Sequence, residues 1–88
     1  MAKSKFTQQE DIFLQLLKEL RMEKGISQTE LGDRLGLRQT YVSKYETGER
    51  RLDFVEAVNV CEALGITIQE FSRRFMERCK KAAAATNR

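Results

Sequence analysis

The sequence predicts an all-α fold of five helices, the last of them extended, and three observations carry that prediction. A Ser, Thr or Asp followed three residues later by Glu forms a capping box, which satisfies free backbone N–H groups at a helix start. It occurs four times: Thr7 with Glu10, Ser27 with Glu30, Asp53 with Glu56, and Thr67 with Glu70. Gly25, Gly36, Gly48 and Gly65 each follow a stretch of helical periodicity, where the left-handed residue that ends a helix suits glycine. Apolar residues between these signals recur at spacings of three and four. No run alternates with period two over a useful length, so no sheet is expected.

The first helix is predicted over residues 8–23, with Phe13, Leu16, Leu17 and Leu20 as its apolar face. The second covers 28–35 and turns Leu31 and Leu35 inward. Ile26 and Leu31 bracket its cap as a hydrophobic staple, and Ile66 and Phe71 repeat the device later. The third covers 38–46 and opens on Arg38 instead of a capping residue; Leu37, Val42 and Tyr45 form its inward side. The fourth covers 54–64, with Val55, Val58, Cys61 and Leu64 spaced as one face. The fifth covers 68–84, where Ile68, Phe71, Phe75, Cys79 and Ala82 make a single stripe that Met76 widens. The end, "KKAAAATNR", is expected to fray from about Ala83 onward.

Residues 1–72 are expected to form the domain, and residues 73–88 an extension of the last helix that serves as a dimerisation element and basic tail. A chain of 88 residues buries only ~60% of its unfolded surface, so added burial through a dimer would help it. The net charge is +3, but the excess sits at the ends. Lys3 and Lys5 open the chain, and Arg73, Arg74, Arg78, Lys80, Lys81 and Arg88 face only Glu77 near its close, so the middle is net acidic. Whole-chain charge is therefore a weak argument for nucleic acid, and a local cluster has to carry it. There is no His and there are two cysteines, Cys61 and Cys79. A four-ligand zinc site would need several carboxylates, so no metal and no cofactor are expected. Reduced thiols and the lack of an export or membrane-spanning pattern predict a cytoplasmic protein with no membrane association. No nucleophile sits beside a base and no glycine-rich phosphate loop is present, so no enzyme is expected.

The second and third helices are each about two turns, joined by "GLR". Two short helices joined by a brief turn containing Gly make the helix-turn-helix unit. Its second helix enters the DNA major groove. The stretch "SQTELGDRLGLRQTYVSKYETGER" resembles the helix-turn-helix of the lambda-repressor/Cro-like (XRE-type) DNA-binding family. The following "LDFVEAVNVCEALGITIQEF" is similar to that family's fourth helix and the start of its fifth. The resemblance spans roughly residues 10–72. It rests on Gln opening the second helix, Gly at the turn, Gln early in the third helix, and Glu-x-Gly at its end. It implies a five-helix lambda-repressor-like domain.

The outward side of the third helix holds Gln39, Thr40, Ser43 and Lys44 and lacks a carboxylate. Such residues are common on any solvated helix. Here they lie between the turn and the basic "ERR" loop, and they suit base edges: an amide pairs with adenine, Thr meets a thymine methyl, Lys reaches guanine. The resemblance implies that Gln39, Thr40 and Lys44 read bases, and that Gln28 binds a phosphate and braces Gln39. Tyr41 and Ser43 are placed for phosphate or sugar, while Thr47, Arg50 and Arg51 hold the backbone on the far side. The "ERR" loop could instead be merely solvated. Family members often carry Ser where Arg38 stands. Either Arg38 gives up a cap worth ~1 kcal/mol for a phosphate or groove contact, or it is tolerated because the position is exposed. The resemblance also pairs Glu46 with Arg21, tying the third helix to the first; the alternative is a surface ion pair of little value.

Past the core, Phe75, Met76 and Cys79 are expected to form a homodimer interface; the alternative is a helix folding back on its own domain. The expected function is a sequence-specific transcriptional regulator of double-stranded DNA, a dimeric repressor on a near-palindromic operator. The alternative is an antitoxin or controller-type autoregulator whose last helix binds a protein partner of unknown identity.

Overall fold

The computed structural model describes residues 5–86. Five helices follow in order: α1 (Lys5–Glu23), α2 (Gln28–Leu35), α3 (Gln39–Glu46), α4 (Phe54–Ala63) and α5 (Ile68–Thr86). Three of the four capping boxes sit at helix starts. Ser27 Oγ accepts from the Glu30 N–H at 3.0 Å, and Thr67 Oγ1 accepts from the Glu70 N–H at 3.1 Å. Asp53 and Glu56 close the full reciprocal box at 2.7 and 2.9 Å. The fourth does not mark a start. The chain is already helical at Lys5, so Thr7 falls inside α1, and Glu10 instead faces Arg51 at 3.3 Å. A box announces a start only where something upstream interrupts the helix, and Lys5 and Phe6 do not.

At the end of α2, Gly36 takes φ 70°. Its N–H bonds the Asp33 carbonyl, and the Leu37 N–H bonds the Gly32 carbonyl at 2.9 Å. This is the Schellman arrangement that satisfies last-turn carbonyls, and it turns the chain toward α3. At the other end of the chain, α5 continues to Thr86 instead of fraying near Ala83. A run of alanines has the highest intrinsic helix preference of any residue type.

The core collects Leu16, Leu17 and Leu20 from α1, Ile26 from the first turn, Leu31 from α2, and Val42 and Tyr45 from α3. Ala57, Val60 and Cys61 from α4, Leu64 from its C-cap and Phe71 from α5 complete it. Each such large apolar side chain contributes roughly 1.5–3 kcal/mol when fully buried. The Cys61 thiol is pushed up to about 11 by burial alone, so it is an inert core residue.

Two inward assignments are corrected. Leu37 is 46% exposed and Val55 is 66% exposed. Leu37 belongs to the turn and not to α3, so helical spacing does not govern it. Val55, Val58, Cys61 and Leu64 are spaced strictly by three, and such a stripe drifts around a helix of 3.6 residues per turn, so its Val55 end leaves the side that Cys61 and Leu64 hold. The face that packs is Ala57, Val60, Cys61 and Leu64, which keeps the last two predicted residues and takes Ala57 and Val60 in place of Val55 and Val58.

A third correction concerns α5. Phe75 does not lie past the core. Its ring meets Phe13 edge-on at 6.2 Å, beside the 5.7 Å contact of Phe13 with Phe71. Arg78 donates to Glu19 of α1 at 2.6 Å, and Arg78 first, then Gln15, hold that carboxyl below its usual range. The extension is thus fastened to α1 beyond residue 72. Cys79 is half-buried, and Met76 is 61% exposed. The arginines of α5 are also engaged: Arg73 with Glu70 and Glu77, Arg74 with Glu70.

Tyr45 is fully buried, and its hydroxyl has no hydrogen-bond partner among the described residues. Burial pushes that phenol well above its usual range. A buried polar group without a partner costs ~1–3 kcal/mol. Tyr45→Phe keeps the ring packed edge-on to Tyr41 at 5.9 Å and removes that cost. It is expected to raise stability by about 1 kcal/mol, read as a higher urea midpoint at unchanged slope. An equal or lower midpoint would show the hydroxyl to be satisfied.

Candidate DNA interface

The interface is built on the close approach of α2 and α3. A Cβ added at Gly32 would stand 3.0–3.1 Å from the backbone of Arg38 and Gln39. The bare glycine lets the start of α3 rest directly on α2. Sequence reasoning passed over Gly32, although a glycine inside a short helix costs roughly 1 kcal/mol relative to alanine and so asks for a packing reason.

A chain of hydrogen bonds runs from the interior to the surface of α3. Arg21 donates through Nε to Glu46 Oε2 at 2.7 Å and through Nη2 to Oε1 at 3.1 Å. Its Nη1 donates to the Ile26 carbonyl at 2.8 Å. The side chains of Glu46 and Arg21 are 3% and 11% exposed, so this is an interior pair and not a surface one. Gln28 Nε2 then donates to Glu46 Oε1 at 2.9 Å, and Gln39 Nε2 donates to Gln28 Oε1 at 2.7 Å. The bidentate Arg–carboxylate geometry fixes direction as well as distance. Glu46 therefore orients Gln28, and Gln28 holds Gln39 at the exposed face.

Arg38 occupies the N-cap of α3 in extended backbone, with no side-chain capping bond. Thr40 and Lys44 are exposed, and Ser43 is half-buried. Thr47 Oγ1 donates to the Lys44 carbonyl at 3.1 Å, serving the helix end.

The "ERR" loop is not a pair of free cations. The Arg50 guanidinium lies 4.9 Å over the Tyr41 ring and hydrogen-bonds Glu56 Oε2. The Tyr41 hydroxyl donates to the same oxygen at 3.1 Å, and the Arg50 N–H bonds the Lys44 carbonyl. The Asp53 backbone N–H, then Tyr41 and Arg50, hold Glu56 below the usual carboxylate range. Burial and then Glu56 push Tyr41 up, and the hydrogen bond to Glu56 pushes Arg50 up. Glu56 is thus a hub that sequence reasoning saw only as a capping residue. Arg51 faces Glu10 at 3.3 Å in an exposed ion pair, its side chain 84% exposed.

Among the described residues no group of His, Cys, Asp or Glu could hold a metal ion, and no helix is long and apolar enough to cross a membrane.

Comparison with known proteins places this geometry. The helix-turn-helix family model matches residues 17–71. A solved XRE-family like protein from Pseudomonas syringae pv. tomato str. DC3000 is 36% identical with a TM-score of 0.79, covering 83% of this chain and 89% of its own. The wild-type restriction-modification controller protein C.Esp1396I shares the fold at 23% identity and a TM-score of 0.76, over 83% of this chain and 95% of its own. No curated protein matches by sequence. A two-helix unit braced by an interior ion pair, matched by that family model and by an XRE-family structure, makes this chain a member of the XRE-type helix-turn-helix family, a DNA-binding transcriptional regulator.

Proposed function

We propose that the protein is a dimeric repressor that places α3 in the major groove of a near-palindromic operator. The observation that supports this most is the bracing of Gln39. An exposed amide held by a chain of bonds from a buried ion pair is pre-organised for a rigid polar partner. Gln39, Thr40 and Lys44 read bases; Gln28, Arg38, Tyr41, Ser43, Thr47, Arg50 and Arg51 contact phosphate or sugar. The α5 segment beyond residue 72 joins two copies through Met76, Cys79 and the outer edge of Phe75. Two recognition helices then lie about one turn, ~34 Å, apart.

Selection from random duplexes at several salt concentrations tests this. Enrichment of a palindrome with half-sites one turn apart is the expected result. Salt-steep binding with no enriched motif would mean a non-specific protein, and an antitoxin-type partner protein would become the reading to pursue.

Arg38→Ser separates the two readings of the missing cap. Serine accepts a bond from the second or third residue of the helix, so folding stability is expected to rise by about 1 kcal/mol. DNA affinity is expected to fall, with the salt slope shallower by about 0.9, the value of one phosphate contact. Gained stability with unchanged affinity would remove Arg38 from the interface.

A further inference from the structure

We infer that Glu56 sharpens sequence specificity by holding Arg50 away from DNA until α3 is seated. The inference rests on the reading of Arg50 as a phosphate contact. Glu56 is three-quarters covered, accepts from Tyr41, Arg50 and the Asp53 backbone at once, and sits at the first turn of α4. Arg50 is locked from its other side as well, stacked on the Tyr41 ring and tied by its backbone to Lys44. Glu56 therefore competes with phosphate for Arg50 from a fixed position.

The competition has different outcomes on the two kinds of DNA. With α3 seated by its base contacts, the loop is pressed to the backbone, and a phosphate at hydrogen-bond distance can displace the carboxylate. On non-specific DNA the helix is not seated and phosphates lie further off, so Arg50 stays with Glu56. The carboxylate thus lowers non-specific affinity more than specific affinity. It acts through Arg50 and is a positioning residue.

The test measures binding of a labelled duplex carrying the selected motif and of a scrambled duplex of equal length, across a salt series. Glu56→Gln is expected to raise affinity for the scrambled duplex about fivefold and steepen its salt slope by about 0.9. Affinity for the motif duplex should change less than twofold. Glu56→Asp keeps the charge and a capping acid but falls a methylene short of Arg50, and should move in the same direction. In an Arg50→Ala background either substitution should keep only the smaller effect of freeing Tyr41, the other group that Glu56 holds, because a double-mutant cycle isolates the Arg50 pair. An equal effect of Glu56→Gln with Arg50 absent, no effect of Glu56→Asp, or equal gains on both duplexes would overturn the inference. If Arg50→Ala alone leaves the motif salt slope unchanged, the phosphate reading of Arg50 fails instead.

Discussion

Arg21→Met is expected to cost about 3–5 kcal/mol of folding stability, because it strands a carboxylate that the fold has removed from water. Glu46 is almost wholly covered, and two of its three side-chain hydrogen bonds come from Arg21. The third, from Gln28, carries no full charge and cannot replace them. Folded domains are stable by ~5–15 kcal/mol, and one of this size lies toward the low end. Single Arg21→Met protein should therefore melt far below the parent. Arg21→Met with Glu46→Leu should recover most of the loss, since an apolar pair in place of a buried ion pair is often neutral or better. Its DNA affinity should nevertheless stay low, because Gln28 then has nothing to orient it and Gln39 loses its brace. A double variant that regained both stability and affinity would show that the ion pair does not reach the interface.

Leu31→Ala is expected to cost 2–5 kcal/mol, the range for truncating a buried leucine. Leu31 is fully buried in the same cluster as Val42 and Tyr45, so the cavity opens beneath both helices of the DNA-binding unit. The companion is Leu37→Ala, six residues on. Half-exposed on the turn, it should cost less than about 1 kcal/mol, in line with substitutions away from the core. Chemical denaturation of both variants tests the assignment of Leu37 to the surface. A Leu37→Ala loss as large as that of Leu31→Ala would reverse it.

The helices themselves were legible because their starts and stops are local chemistry. Ser27, Asp53 and Thr67 each find a backbone N–H three residues on, and Gly36 needs only its own φ to end α2. Thr7 shows the limit: the same local pattern means nothing inside a continuing helix. Facing is legible only where polar residues mark the other side. It was clear in α1 and missed in α4, where a stripe spaced strictly by three drifts off the packed side although Glu56, Asn59 and Glu62 mark the other one. The pairing of Arg21 with Glu46 came from family resemblance and not from spacing, since 25 residues separate them. The partners of Arg50 and Arg51 were missed for a related reason. Glu56 and Glu10 belong to other helices, and nothing local in "ERR" says that carboxylates will meet it. The reach of α1 to Phe75 stood only as the alternative of a helix folding back on its own domain, because a stripe on α5 does not say whose surface it covers.

The uneven anchoring of α3 has a consequence for re-engineering. Arg38, Thr40 and Lys44 make no side-chain hydrogen bond or ion pair with the described residues, whereas Gln39 is wired through Gln28 to the interior. The exposed trio can be rewritten without breaking a side-chain bond, whereas a change at Gln39 breaks its bond to Gln28. On the proposed reading of Thr40 and Lys44 as base contacts, a library that varies positions 40 and 44 around a constant Gln39 is expected to yield folded proteins with altered DNA preference, a programmable reading head on an unchanged chassis.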